Sequence, residues 1–197
     1  MKVAITPMIE KAEAFATKAH EGQYRKSDGM PMVTHPIRVA NILRSTGFPE
    51  EVVIAGYLHD TVEDTDVTLE DIEREFGAEV RYIVAGNTED KDKSWVERKK
   101  HTVEALKTAP LSIRPLVVAD KLDNLSSLAF ALDEVGEEIW DAFKYGRKEN
   151  AWYFQSVLAS MYMPHEDIAP SDYPEFFLVY QALVHQVFCP HMDIVEE

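Results

Sequence analysis

The sequence predicts an all-α fold, and three observations carry the prediction. Apolar residues recur at helical spacing along most of the chain. Helix starts and stops are marked by Ser, Thr, Pro and Gly at the positions where caps belong. No stretch shows the polar–apolar alternation of a half-buried strand.

Thr6-Pro7 serves as N-cap and first helical residue of a first helix, with Ile9, Ala12, Phe15, Ala16 and Ala19 as its apolar stripe and Gly22 as its stop. Residues 21–34 hold Gly22, Gly29 and Pro31 and read as a loop. Thr34-His35-Pro36 opens a second helix, closed by Gly47. Pro49 opens a third, through Val52, Val53, Ile54, Ala55 and Leu58, whose near-continuous apolarity predicts burial and which runs on to residue 64. Thr68-x-x-Asp71 and Ser94-x-x-Glu97 resemble capping boxes, and Gly77 separates the helix after Thr68 from another over 78–86. Ser112 is the expected cap of a helix holding Leu116, Val117, Val118, Leu122, Leu125 and Leu128. One long helix is expected over about 137–162, rich in aromatics. Pro164, Pro170 and Pro174 mark a loop before a last apolar helix near 175–188. The 197 residues show no repeat, low-complexity tract or composition shift, so the expectation is one domain over 1–197.

Composition narrows the function. With 46% hydrophobic residues the chain is not of disordered composition. A net charge of −15 repels a nucleic-acid polymer. A small anion remains a fitting partner where basic groups gather, as at Arg25-Lys26 and over Lys91, Lys93, Arg98, Lys99 and Lys100. The commoner fate of such groups is solvated surface. No apolar run is long enough to span a membrane, and the stretch over residues 1–7 lacks the long apolar run and cleavage site expected of a signal peptide. A single cysteine, Cys189, excludes an internal disulfide and suits a reducing compartment, so a cytoplasmic protein is expected.

The most informative stretch is His59-Asp60-x-x-Glu63-Asp64. If helical, it places one imidazole and three carboxylates on broadly one side, directly after an apolar run. Carboxylates that close repel or take up protons, and a divalent cation resolves the conflict. Two distant residues suit the same cation: His35 at a helix start, and Asp120 inside the apolar run Leu116–Leu128, where an unpaired carboxylate is costly. Taken singly, a histidine at a helix start is more often a cap, and a buried aspartate beside Lys121 more often an ion-pair partner. The set His35, His59, Asp60 and Asp120 gives mixed N/O ligation, which suits Mn²⁺ or Fe²⁺ and also admits Zn²⁺; a sulfur-rich zinc site is excluded. His20 and His101 read as surface or boundary residues, and His165, His185 and His191 as core or surface.

Three blocks then carry a family resemblance: Arg25-Lys26-Ser27-Asp28-Gly29-Met30-Pro31-Met32-Val33-Thr34-His35-Pro36, Leu58-His59-Asp60-Thr61-Val62-Glu63-Asp64-Thr65, and Ala119-Asp120-Lys121-Leu122-Asp123-Asn124-Leu125. The stretch Asn87-Thr88-Glu89-Asp90-Lys91 adds to them. The chain resembles the HD-domain metal-dependent phosphohydrolases, and more narrowly the (p)ppGpp hydrolase domain of RelA/SpoT proteins and its small stand-alone relatives. The likeness spans about residues 5–130 well and 131–162 loosely; residues 163–197 are an unrecognised C-terminal extension.

The resemblance implies a single helical bundle with extra C-terminal helices. It implies His35, His59, Asp60 and Asp120 as metal ligands, with Mn²⁺ the usual ion. It makes Glu63 and Asp64 the pair that orients and deprotonates the attacking water. Arg25, Lys26 and Ser27 would line the nucleotide pocket, and Asn124 and Ser127 would contact the ribose or 3′-phosphates. Lys91 and Lys99 are added from their charge, to neutralise the leaving group. The synthetase half of long RelA/SpoT proteins has no counterpart here, so hydrolysis alone is expected. Met32, Asp123 and Ser126 depart from the family pattern, and Asp123 would bring a negative charge near an anionic ligand. Three readings stay open: a (p)ppGpp 3′-pyrophosphohydrolase, a phosphatase of NADPH or nucleoside monophosphates, and a non-catalytic metal- and nucleotide-binding domain. The last helix reads either as a core helix or as a subunit interface of a homo-oligomer.

Overall fold

The computed structural model describes residues 3–25, 29–165, 168–169 and 172–189. Among them lie ten α-helices, one 3-10 helix and two isolated bridges, with no extended strand. In α1 (Pro7–Ala19), Thr6 Oγ1 accepts the Ile9 N–H at 3.2 Å, and Ile9, Ala12 and Ala16 are buried. The helix stops at His20, short of Gly22. His20, expected near the surface, is buried, because Gln23 folds back to give its ring a polar partner, with Oε1 2.9 Å from Nδ1.

The next two helices set the site. α2 (Thr34–Thr46) ends at Gly47, whose φ of +87° is the left-handed cap that a side chain resists. α3 (Glu50–Leu58) is buried continuously from Val52 to Leu58. The two backbones meet at Gly56: a Cβ there would lie 2.9 Å from Ala40 Cα and 3.0 Å from Leu43 Cδ1. That close approach seats His35, near the start of α2, beside His59, just past the end of α3, with ring centroids 5.0 Å apart.

The expected helix through residue 64 is broken. α3 stops at Leu58 and a one-turn helix, α4 (Thr61–Asp64), follows. The His59 Nδ1–H donates to Gly56 O at 2.9 Å and Thr61 Oγ1 donates to Leu58 O at 2.7 Å, so side chains compete for the carbonyls of the last turn.

Both capping boxes form, at the starts of α5 (Leu69–Phe76) and α7 (Trp95–Thr108), with α6 (Ala78–Asn87) between them. α8 (Arg114–Val135) begins without Ser112 as its cap: Ile113 holds that position, and Pro115 near the first turn fixes the start. The helix expected over 137–162 is two pieces, a 3-10 segment Gly136–Ala142 and α9 (Arg147–Met161). Gly136, at φ +68°, turns the chain out of α8, and Gly146 occupies the N-cap of α9.

α10 (Glu175–Phe188) buries Phe176, Phe177, Tyr180, Val184, Val187 and Phe188 while Val179 stays exposed. It packs on α8 and α9: Tyr180 Oη donates to Phe154 O at 3.0 Å, and the Phe154 and Phe188 rings stack. Its apolar face is thus used within the chain. Arg114 is wholly buried and holds the ends of α7 and α9, donating to Lys107 O, Ala109 O, Met161 O and Met163 O at 2.7–3.2 Å. Carbonyls at helix C-termini are its natural acceptors.

Candidate metal centre and substrate cavity

Three separate helical segments deliver four donor residues to one point. His35 Nε2 lies 3.2 Å from Asp120 Oδ1, 3.5 Å from Asp60 Oδ2 and 3.2 Å from His59 Nε2. His59 Nε2 lies 3.2 Å from Asp60 Oδ1 and 3.9 Å from Asp120 Oδ1. His35, His59 and Asp120 are buried and can each offer a ligand atom within 4.8 Å of the others.

The chemistry of this donor set fits a divalent cation. Both imidazoles have their Nδ1 committed, His59 to Gly56 O and His35 to Asp123 Oδ2 at 2.7 Å. That leaves both Nε2 lone pairs facing each other and two carboxylates, an arrangement that needs a positive charge at its centre. The same demand shows in His35. Burial pulls its pKa down, but Asp120, Asp123 and Asp60 outweigh burial and raise it from 6.5 to about 10. A proton answers the demand as a metal ion does, and the two compete.

The carboxylates of the His59–Asp64 stretch do not share one face, because the helix breaks beneath them. Asp60 turns to the two histidines. Glu63 Oε1 accepts the Glu89 N–H at 2.7 Å. Burial raises the Glu63 pKa; the Glu89 N–H and Lys121 oppose it, Asp60 and Glu89 add to it, and the net value is about 7. Asp64 points elsewhere, into an ion pair with Lys91, while Gln23 Nε2 holds its backbone carbonyl at 2.8 Å.

Two adjoining cavities complete the site. One of about 190 Å³ is lined by His35, Asp60, Glu63, Glu89 and Asp120. The other, of about 510 Å³, adds an apolar and aromatic wall including Trp95, Leu128, Phe143, Tyr153 and Phe154. Arg25, Met32, Lys99, Lys121 and Asn124 line both. In a chain of net charge −15 the shared wall is therefore locally basic.

The expected substrate residues separate on this geometry. Arg25, Lys99, Asn124 and Ser127 line the larger cavity. Asn124 Nδ2 also donates to Asp120 Oδ1 at 2.6 Å, and Arg25 Nη2 to Ser127 Oγ at 3.2 Å. Lys91 lines neither cavity, because Asp64 draws it away. Lys26 and Ser27 lie outside the described residues. Asp123 does not present a free charge to a ligand: it is buried, and burial's upward push on its pKa is outweighed by His35 and Arg25, so it stays an anion paired to both.

Sequence reasoning missed Glu89 as a site residue, and it named Lys121 only as the ion-pair partner of Asp120. Lys121 Nζ lies 2.5 Å from Asp120 Oδ2, and Asp120 holds its pKa up against burial. Glu89 is held by Lys99 at 2.8 Å and Thr102 at 3.1 Å. The one available signal for Glu89 was its place in the Asn87–Lys91 block; nothing in helical periodicity marks it.

Known proteins share this architecture. The family described as HD domain matches residues 12–144. A human protein, guanosine-3′,5′-bis(diphosphate) 3′-pyrophosphohydrolase MESH1, is 44% identical over 124 residues, which cover 61% of this chain and 69% of the human one. The crystal structure of lmo0812 from Listeria monocytogenes superposes with a TM-score of 0.75 at 47% identity, covering 79% of this chain and 99% of that one. A metazoan ortholog of SpoT that hydrolyses ppGpp superposes with a TM-score of 0.75 at 26% identity, covering 93% of this chain and 97% of that one.

Proposed function

Because the chain belongs to the HD domain family, we propose that it is a metal-dependent hydrolase of guanosine 3′,5′-bis(diphosphate). Water would be consumed, the bond between the ribose 3′-oxygen and phosphorus broken, and GDP and pyrophosphate released. One observation carries the reading: His35, Asp60, Asp120 and Glu63 line the same 190 Å³ cavity, with His59 fully buried 3.2 Å from His35, and that cavity joins a larger one through a basic wall. A module that only bound a nucleotide would have no use for a carboxylate of raised pKa at that point.

His35, His59, Asp60 and Asp120 would hold the cation, with Mn²⁺ proposed; Fe²⁺ and Zn²⁺ suit the same nitrogen and oxygen donors. Once bound, the ion polarises a phosphoryl oxygen and lowers the pKa of water. Glu63 accepts the proton of the attacking water; burial lifts its pKa to about 7 in the metal-free protein, and a bound cation would lower it from there. Asp64 steadies the turn that carries Glu63, through Lys91 and Gln23. Arg25, Lys99 and Lys121, which line both cavities, would offset phosphate charge. Asn124 fixes Asp120, and Ser127 presents a hydroxyl to the ribose side.

The apolar wall of the larger cavity favours a second reading, a nucleotide with more aromatic surface such as NADPH. The test is turnover of a panel with Mn²⁺: ppGpp, NADPH and deoxynucleoside monophosphates, with products resolved by chromatography. GDP and pyrophosphate in equal amounts are expected. Turnover of NADPH or a monophosphate alone would move the assignment, and a metal-loaded protein inert to all three would refute hydrolysis of these substrates.

A further inference from the structure

Asp123 lies outside the four-donor cluster, yet one of its oxygens serves both sides of the site. Asp123 Oδ2 accepts from His35 Nδ1 at 2.7 Å and from Arg25 Nη1 at 3.1 Å. Its other oxygen lies 3.9 Å from Arg38 Nη1. Asp123 follows Asp120 by three positions on α8, so one face of that helix presents a donor and the support of another donor.

The geometry has two consequences. An imidazole that offers Nε2 to a cation must carry its proton on Nδ1 and keep its ring fixed; a carboxylate on Nδ1 does both. The Arg25 guanidinium is held by Asp123 and Ser127 at the wall shared by the two cavities. Because a single oxygen takes both bonds, His35 and Arg25 cannot shift independently.

We infer that Asp123 is a positioning residue that couples cation binding to nucleotide binding, holding His35 for the one and Arg25 for the other. The Arg25 half rests on the hydrolase reading above; the His35 half does not.

Asp123→Asn keeps the shape and removes the charge. Calorimetric titration of the metal-free protein with Mn²⁺, with no nucleotide present, is expected to show affinity weakened about 10–100-fold. At saturating Mn²⁺ the KM for ppGpp is expected to rise at least several-fold. Far-UV circular dichroism and the thermal midpoint of the metal-free variant separate these effects from a loss of fold. In the unsubstituted protein loaded with diamagnetic Zn²⁺, ¹⁵N spectra of the His35 ring should show the proton on Nδ1; this needs no variant and decides the His35 half even where Asp123→Asn does not fold. Mn²⁺ affinity within twofold of the parent, or a proton on Nε2, overturns the inference. Weakened Mn²⁺ binding with an unchanged KM overturns the coupling. A protein that turns over no nucleotide refutes the hydrolase reading, with the Mn²⁺ titration still deciding for His35.

Discussion

Glu63→Gln should cost the protein its rate and raise its stability, and the size of the gain can be worked from the structure. Burial raises the Glu63 pKa from 4.5 to about 7. At ~1.4 kcal/mol per pH unit, ionising this carboxyl in the folded protein costs up to about 3 kcal/mol. The sign follows from where the protons sit. Below 4.5 the carboxyl is protonated in both folded and unfolded chains, and there is no penalty. Between 4.5 and about 7 the folded chain keeps a proton that the unfolded chain has released, so stability falls as pH rises. Above about 7 the penalty is fully present. Glutamine keeps an oxygen to accept the Glu89 N–H and has no charge to bury. The assay is urea unfolding of metal-free parent and variant at pH 4.5 and pH 8. At pH 8 the variant should be more stable by up to about 3 kcal/mol, a rise of roughly 6–12 °C in thermal midpoint. At pH 4.5 the two should coincide. With Mn²⁺ the variant should lose roughly 10²–10⁴-fold in kcat. A gain of equal size at both pH values, or no gain at pH 8, would refute the burial argument; a fully active variant would refute the base assignment.

Three further outcomes follow from the same geometry. His59→Ala removes a buried imidazole from the cluster, so calorimetry should detect no Mn²⁺ binding, and the variant should forgo the ~2.7 kcal/mol that the parent gains at a hundredfold excess of ion over its dissociation constant. Gly56→Ala forces a methyl to within 2.9 Å of Ala40 Cα, costing ~1–3 kcal/mol in urea unfolding and weakening Mn²⁺ binding as His35 moves from His59; an unchanged affinity would show that the helix contact does not set the donor spacing. Arg114→Met strands buried carbonyls at the ends of α7 and α9 and should lose at least ~3 kcal/mol, read by the same unfolding curve.

How far the sequence carried depended on the range of the interaction. Local interactions wrote themselves plainly: Thr6, Thr68 and Ser94 cap the helices expected of them, and Gly47 and Gly77 end or divide theirs. The convergence of His35, His59 and Asp120 was also readable, because His59-Asp60 is a compact signal and Asp120 is a carboxylate in an apolar run. The helix break at Asp60 was not, since it arises from side chains bonding to the carbonyls of their own turn. The direction of Asp64, away from the cavity, depends on that break and on Lys91 across space. Asp123 looked like a stray charge, because its two partners come from another helix and a loop remote in sequence. His20 looked like a surface residue for the same reason: its polar partner, Gln23, lies past the end of the helix and is reached only when the chain turns.

The donors' distribution along the chain also fixes when the site can exist. As a chain is synthesised from its N-terminus, His35, His59 and Asp60 emerge well before Asp120, and the wall residues Phe143, Tyr153 and Phe154 later still. A growing chain therefore carries two imidazoles and a carboxylate with no closed site to hold an ion. The cation is a ligand of the finished fold, and its binding energy adds to the stability of that state alone. Metal supply during synthesis would then leave the steps before α8 docks unaffected and act once α8 brings Asp120 to the histidines.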